Sequence, residues 1–429
     1  MTTIKTAFQT HQEEVTRLFS HLQVEGNKLT HQPGSVLGST ALVAGTTVGA
    51  GILALPAVTL PSGIIPSTVL LIAVWLYTLV AGLLIAEVSI NTMRLAGRPS
   101  VSLLAMIETA LGLNGARMAG AAYLLLHYAL LVAYITQGGE ILMSAVSHLW
   151  GVQNSLPSWI GTTAFTLLFG SIMYLGRGKF IEKLNNFLVG IVLASFLGLL
   201  LLGFTQVKGV HLLFQNWSAL STAIPVMLVA LFYHNIVPVV VTQLEGDSRK
   251  VRQSIIIGSA IPLLMFLAWN AVILGSVSSE MIYGKTIFDP IQVLRAGGGG
   301  ELLGVLVSIF SEFAIATSFI GFVYGLLDFF QDIFATTQNK PASRLPLYSL
   351  VLLPPIGLGA VNPSIFFTAL DFTGTFSISI LGGIIPALAT WKQRQQLQHS
   401  NHFVPGGKLT LILMIGIALG IILKEIFAV

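Results

Sequence analysis

Gly45-Thr46-Thr47-Val48-Gly49-Ala50-Gly51 is the stretch on which the reading of the fold turns. It lies inside an apolar run over 35–60, long enough to cross a bilayer. Glycine costs a helix roughly 1 kcal/mol relative to alanine, and β-branched threonines weaken it further. In hydrocarbon, unwound backbone is tolerated only where it faces protein or a polar cavity. The stretch therefore reads as a membrane helix broken in its middle, with bare amides and carbonyls offered for use. Pro56, a little further on, suits an interrupted helix. The competing reading is a close-packing face of the small-xxx-small kind. The glycines alone do not choose between the two.

Composition fixes the class. The chain has 429 residues, 54% of them hydrophobic and only 9% charged. Soluble domains carry about 25% charged residues, so this is an all-α polytopic membrane protein whose surroundings are a lipid bilayer. There is no cysteine, which excludes disulfides, thiolate metal sites and cysteine nucleophiles. Residues 1–34 form a polar N-terminal tail without the basic-then-apolar pattern of a cleaved leader. In it Phe8, Val15, Leu18, Phe19 and Leu22 recur at helical spacing, which predicts either a short helix on the membrane surface or a solvated tail.

Apolar runs follow at 35–60, 64–92, 117–149, 157–176, 184–207, 219–244, 251–278, 301–333, 345–361, 364–391 and 408–426, eleven helices in all. Helices 3 and 8 exceed the bilayer's needs, so they should tilt or project. With the N-terminus cytoplasmic, Lys208, Lys285, Arg295 and Lys424 alone of the 21 basic residues fall on the far side. That asymmetry supports both the count and the orientation, in an inner or plasma membrane. The longest external loop, 277–300, carries Asp289-Pro290 and ends in Gly297 to Gly300; it reads as a small lid or an inert connector.

Helix 6 is interrupted as well. Leu231-Phe232-Tyr233-His234-Asn235 breaks an apolar run between Pro225 and Pro238. A His-Asn pair at membrane depth should face a cavity or a partner. Interrupted segments at matching places in two halves are the mark of a transporter with inverted repeats and substrate held between the breaks. This pairing favours the site reading of the helix 1 glycines over packing. Repeats of 35–207 and 219–391 are then expected, with helix 11 at 408–426 outside them.

Acidic side chains in or near the spans are Glu87, Glu140, Glu312, Asp328, Asp332 and Asp371, and His127 lies in helix 3. Each is more readily a packing group than a proton relay; desolvation of any one would fit it for proton coupling. Helix 8 carries Thr317-Ser318, whose hydroxyls either bond back to carbonyls of the preceding turn or serve as oxygen ligands for a small cation. Enzyme readings lack support. The glycines do not match a dinucleotide fingerprint, no zinc-type histidine spacing occurs, and no nucleophile–base pattern stands out. The expectation is no cofactor, no metal and no nucleic-acid partner. Composition carries no signal for oligomeric state.

Gly38-Ser39-Thr40-Ala41-Leu42-Val43-Ala44-Gly45-Thr46-Thr47-Val48-Gly49-Ala50-Gly51-Ile52-Leu53-Ala54-Leu55-Pro56 closely resembles helix 1 of the bacterial tyrosine-specific and tryptophan permeases. These are hydroxy and aromatic amino acid permeases of the amino acid–polyamine–organocation superfamily. Ile256 to Pro262 in helix 7 is a second specific match; weaker ones are Ala133 to Thr136 with Gly139-Glu140, His234 with Pro238, Ala316 to Phe319, and Gly325 to Asp328. The resemblance runs from about Gly38 to Lys392. It implies a LeuT-type five-plus-five inverted repeat with an eleventh helix, and proton-driven uptake of an aromatic amino acid. By the same resemblance, Gly45, Thr46, Thr47, Val48, Gly49, Ala50 and Gly51 offer amides to the substrate carboxylate, and carbonyls around Phe232 to Asn235 receive its ammonium. Phe232, Tyr233 and Tyr134 wall the side-chain pocket, and His234 or Gln137 meets a polar substituent. The coupling-ion candidates are Thr317, Ser318, Glu140 and His234. Sodium-coupled relatives of the fold bind sodium with a hydroxyl pair like Thr317-Ser318. Some proton-coupled ones fill that place with a helix 5 lysine, and here helix 5 has only Lys183, at its start. Two other readings stand beside aromatic symport: a same-fold carrier for another neutral amino acid, and an amino-acid receptor that does not transport.

Overall fold

The computed structural model describes residues 18, 22–25, 28–31, 34–49, 51–97, 102–150, 157–176, 178–276, 301–338, 344–362, 365–397 and 402–428. The external loop 277–300, read as a small lid or an inert connector, lies outside the described residues. Among them, ten helices are long and apolar enough to cross a membrane, and a bent pair brings the number to eleven.

The bent pair is helix 1, in halves Val36–Thr47 and Gly51–Thr59. Ser35 caps its start by accepting from the Gly38 N–H at 2.9 Å. Helix 2 runs Ile64–Ala96, helix 3 Leu113–Trp150, helix 4 Ser158–Leu175 and helix 5 Gly178–Phe204. Helix 6 is again in two pieces, Ile224–Ala230 and Val237–Gln243. Helix 7 is Ser248–Ser276, helix 8 Glu301–Gln338 and helix 9 Arg344–Val361. Helix 10 occupies Phe366–Gln396 and helix 11 Gly407–Ala428. Helices 3 and 8 each have 38 residues. At 1.5 Å per residue that is about 57 Å of helix, well beyond a hydrocarbon core of about 30 Å.

Small residues set the close crossings. A side chain at Gly258 would strike Val43 and the Thr40 carbonyl, so helix 7 lies directly on helix 1. At Gly139 it would strike the backbone of Gly161 and Thr162, which brings helices 3 and 4 together. Helices 1, 2, 6 and 7 form one packed group, and helices 3, 4, 8 and 9 another. Helix 5 packs on helices 8 and 7, and helix 10 reaches from helix 3 at its start to helix 2 at its end. Leu201, Phe204, Leu175 and Phe187 on the outside of the bundle are largely exposed, as lipid-facing side chains must be.

Of the two readings of the N-terminal segment, a surface helix or a solvated tail, its described residues at 22–31 do not form the helix. Leu22–Glu25 (β1) and Lys28–His31 (β2) pair antiparallel, with Leu22 opposite His31 and Glu25 opposite Lys28. The remaining residues of the proposed helical spacing, apart from Leu18, lie outside the described residues. Leu18 N–H donates to the Glu245 carbonyl at 2.8 Å and Gly34 N–H to that of Gln243 at 3.1 Å. The segment is thereby tied to the turn between helices 6 and 7. A short amphipathic helix, Leu103–Leu111, also lies between helices 2 and 3, with Met106, Ile107 and Ala110 buried.

One buried ion pair binds the ends of several helices. Glu87 of helix 2, 1% exposed, takes both oxygens to Arg394 of helix 10, at 2.6 Å from Nε and 2.7 Å from Nη2. Its Oε2 also accepts from the Phe403 N–H at 2.9 Å. Arg252 of helix 7 donates to the carbonyls of His402 and Phe403 and lies over the Phe403 ring. Glu87 is thus a packing group, as its sequence position favoured. Removing one partner of such a pair leaves an uncompensated buried charge, at a cost of about 3–5 kcal/mol. Arg394→Ala is therefore expected to lower the thermal midpoint of the detergent-solubilised protein sharply. A midpoint unchanged from wild type would show that the pair does not hold the helix ends.

Candidate functional site

The helix 1 break is short. Thr47 ends the first half, Val48 is extended, and its N–H still donates to the Ala44 carbonyl at 3.1 Å. The second half starts at Gly51, and the two halves bend by 53°. Ile52 N–H donates to the Gly49 carbonyl at 3.1 Å. The hydroxyls of Thr46 and Thr47 turn back to the carbonyls of Leu42 and Val43, both at 2.8 Å. Gly45 and Thr46 are exposed and Thr47 is buried; Ala50 lies outside the described residues.

Helix 6 is broken between Ala230 and Val237. Leu231, Phe232 and Tyr233 leave the helix, and His234–Ile236 makes one tight turn before it resumes. Tyr233 and His234 carbonyls accept from Ile236 and Val237. Pro225 and Pro238 sit in the first turn of their respective half-helices, where no N–H is missed.

The two breaks abut. A Cβ added at Gly51 would lie 2.6 Å from Ala230 Cα, so the start of the second half of helix 1 rests on the end of the first half of helix 6. A Cβ at Gly49 would lie 2.7 Å from Ser318 Oγ, which puts the helix 8 hydroxyl on the break itself. Thr317 and Ser318 both donate to the Ala314 carbonyl, at 3.0 and 2.9 Å. Both are half-buried, and both oxygens retain lone pairs for a further partner.

The remaining candidates scatter. Tyr233 is fully buried against helix 2: its hydroxyl donates to the Thr78 carbonyl at 3.3 Å and its ring packs on Gly82. His234 also reaches helix 2, with Nε2 at 3.1 Å from the same carbonyl. Its ring stacks near those of Phe232 and Tyr233, each with centroids 5.0 Å away. Tyr134 meets Phe322 of helix 8 edge to face, and Gln137 is buried one turn further along helix 3. Asn235 is half-buried. Glu140 is exposed on helix 3. His127 packs between helices 3 and 8, donating from Nδ1 to the Tyr123 carbonyl at 2.9 Å with its other side against Gly325. Among the described residues, no three His, Asp or Glu side chains converge as a metal site requires.

Trp269 has no counterpart in the sequence reading. From helix 7 its Nε1–H donates to the Ile52 carbonyl at 2.9 Å, fixing the first turn after the break. Beside it Asn270 lies 2.6 Å from the Thr59 hydroxyl and 3.2 Å from that of Ser67, joining helices 1, 2 and 7. Only the rarity of a buried indole N–H or amide in a membrane helix could have signalled them.

Among the described residues, ten apolar helices and one bent pair form a bundle in which two broken helices meet, the architecture of a membrane carrier. The chain matches the tryptophan/tyrosine permease family model over residues 32–425, and it belongs to that family. It is 29% identical to tyrosine-specific transport system 1 of Haemophilus influenzae, over 91% of this chain and 96% of that protein. It is 28% identical to the tryptophan-specific transport protein of the same organism, over 89% and 94% of the two chains. It is also 26% identical to glutamine transporter 2 of Aliivibrio fischeri, over 91% and 99%.

Gly49 and Gly51 make different demands. A side chain at Gly51 meets backbone, which cannot give way; one at Gly49 meets a single hydroxyl at the site. Gly51→Leu is expected to reduce folded protein recovered by size exclusion. Gly49→Leu is expected to be recovered well yet to abolish amino-acid uptake in proteoliposomes. Normal uptake by a well-folded Gly49→Leu protein would remove this glycine from the site.

Proposed function

We propose that this chain is a secondary active symporter that imports aromatic amino acids of the tyrosine and tryptophan kind, coupled to protons, by alternating access around helices 1 and 6. It carries out no covalent chemistry. The observation that carries this reading is the contact between the two breaks through Gly51 and Ala230. There, backbone groups freed from two helices lie within one site. The names of the family and of its tyrosine- and tryptophan-specific members support the substrate class.

In this reading the chain is a LeuT-type pair of inverted repeats, 35–207 and 219–391, with helix 11 at 408–426. The polar tail of residues 1–34 is cytoplasmic, in an inner or plasma membrane. The half-helix starting at Gly51 presents free amides and the positive end of its dipole to the substrate carboxylate. Carbonyls of the helix 6 break take the ammonium. Tyr134, Phe232 and Tyr233 border the side chain, and His234, Asn235 and Gln137 supply polar contacts. A proton carried by His234 or Glu140 drives accumulation.

Ser318 beside Gly49 favours a second reading of the driving ion, in which Thr317, Ser318 and carbonyls of the helix 1 break bind sodium. The glutamine transporter among the relatives likewise keeps other neutral amino acids in view. Counterflow with a panel of labelled amino acids separates the substrates. A binder that shows no counterflow with any of them would be a receptor. For the ion, uptake is measured in proteoliposomes with an imposed pH gradient and choline in place of all sodium. Concentrative tyrosine uptake is expected there. Uptake that requires sodium and disappears in Thr317→Ala/Ser318→Ala would replace the proton by sodium.

A further inference from the structure

Pro56 stands inside the second half of helix 1, Gly51–Thr59, and is buried there. In an α-helix each carbonyl accepts from the N–H four residues on. For the Ile52 carbonyl that donor would be residue 56, and proline has no N–H. The proline ring also crowds the carbonyl four residues back. Ile52 is fully buried, so water does not reach its backbone. A carbonyl left unmet in such a place is costly.

Helix 7 supplies the missing donor. Trp269 Nε1–H donates to the Ile52 carbonyl at 2.9 Å. The indole is 1% exposed and is wedged between Phe196 of helix 5 and Phe310 of helix 8, with ring centroids 6.1 and 5.5 Å away. A buried indole N–H can only donate, so it needs that acceptor as much as the carbonyl needs a donor. At the other end of the half-helix, Asn270 lies 2.6 Å from the Thr59 hydroxyl. Two adjacent residues of helix 7 thus hold the half-helix at its first and last turns. The held peptide also belongs to the break. Ile52 N–H donates to the Gly49 carbonyl at 3.1 Å, and Gly51 rests on Ala230 of helix 6.

We propose that Trp269 is a positioning residue for the substrate: its indole N–H stands in for the one Pro56 lacks, and fixes the first turn of the half-helix where its free amides meet the substrate carboxylate. The proposal rests on the amino-acid carrier and the carboxylate contact proposed above. An N–H at position 56 would let the half-helix satisfy its own carbonyl, and its tilt would owe nothing to helix 7. Proline makes the first turn depend on its neighbour instead. Through the wedged ring, the amides take their place relative to helices 5 and 8 as well. Small errors in such placement are expensive, because a displaced donor loses its bond to the ligand.

The test is a double-mutant cycle on Trp269→Phe and Pro56→Ala, read as KM and maximal rate of tyrosine uptake in proteoliposomes per folded carrier. Trp269→Phe should raise KM about tenfold, the scale of one unmet buried acceptor, with a smaller change in maximal rate. Pro56→Ala alone should change KM little, because the carbonyl has two lone pairs and keeps Trp269. Added to Trp269→Phe, it restores an internal donor and should recover most of the loss. Phenylalanine is also smaller than tryptophan, so a further variant carries benzothienylalanine at position 269, which keeps the shape of the indole and has no N–H. It should match Trp269→Phe in KM, and it decides the matter if Trp269→Phe folds poorly. A wild-type KM in that folded protein would overturn the proposal, since ring packing alone would then suffice. A Trp269→Phe defect that Pro56→Ala leaves in full would overturn it too. A wild type that carries no tyrosine overturns the proposed function instead. The pairing is then read from thermal midpoints, where Pro56→Ala should raise that of Trp269→Phe more than that of wild type; equal shifts overturn it.

Discussion

Backbone in hydrocarbon has no water to bond with, so every amide and carbonyl released from a helix needs a partner supplied by the protein. Helix 1 releases several at Val48 and Gly49, in the middle of its span. Part of the debt is met locally, by Val48 N–H on Ala44 and Ile52 N–H on Gly49. Part is met from helix 7, whose Trp269 reaches the Ile52 carbonyl. The second half of helix 1 is held against helix 6 because Gly51 lets the two backbones touch at Ala230. Helices 6 and 7 thus have their positions set by the need to close around an interrupted helix. Helix 8 completes the enclosure with Ser318.

The polar side chains of the interior are placed with the same economy. Asn270 uses its amide to reach both Thr59 and Ser67, so one residue of helix 7 joins helices 1 and 2. Glu87 accepts from both Arg394 and the Phe403 backbone and is nearly sealed from solvent. A buried pair of this kind is weak evidence of net stability, since apolar replacements of similar shape often serve as well. What it does supply is direction: Glu87 of helix 2 is engaged at once by Arg394 of helix 10 and by the Phe403 backbone in the segment that leads into helix 11.

The spans and both breaks were legible because they rest on local properties: runs of apolar residues, clustered glycines, and His-Asn amid aliphatic residues. The meeting of Gly49 with Ser318 was legible only through family resemblance, since residues 269 positions apart in the chain carry no mutual signal. The Glu87–Arg394 pair, 307 positions apart, was illegible for the same reason. The N-terminal hairpin was missed differently. Glu25-Gly26-Asn27-Lys28 has the Gly-Asn centre of a two-residue hairpin turn, but the apolar spacing before it, Phe8 to Leu22, reads as a surface helix or a solvated tail. The helix Leu103–Leu111 was overlooked because, at nine residues, it falls below the length that marks a span. The π-helical stretches of helix 10, Thr373–Ile378 and Ile380–Ile384, were passed over although Thr373 to Ile384 carries three glycines and four hydroxyl residues, because its flanks read as one continuous apolar span.

The tie between the N-terminal segment and the turn at Gln243 to Asp247 has a mechanical meaning. Leu18 and Gly34 stand on carbonyls two residues apart, those of Glu245 and Gln243, so two points of the N-terminal segment are held on one turn. The turn beneath is shaped to take the load. Glu245 and Gly246 adopt positive φ, and Asp247 accepts from the N–H groups of Arg249 and Lys250 to start helix 7. Any tension applied to the N-terminal side of helix 1 is therefore shared with the far end of helix 6. Leu18 and Gly34 thereby link the approach to helix 1 with the end of helix 6, the two helices whose breaks abut.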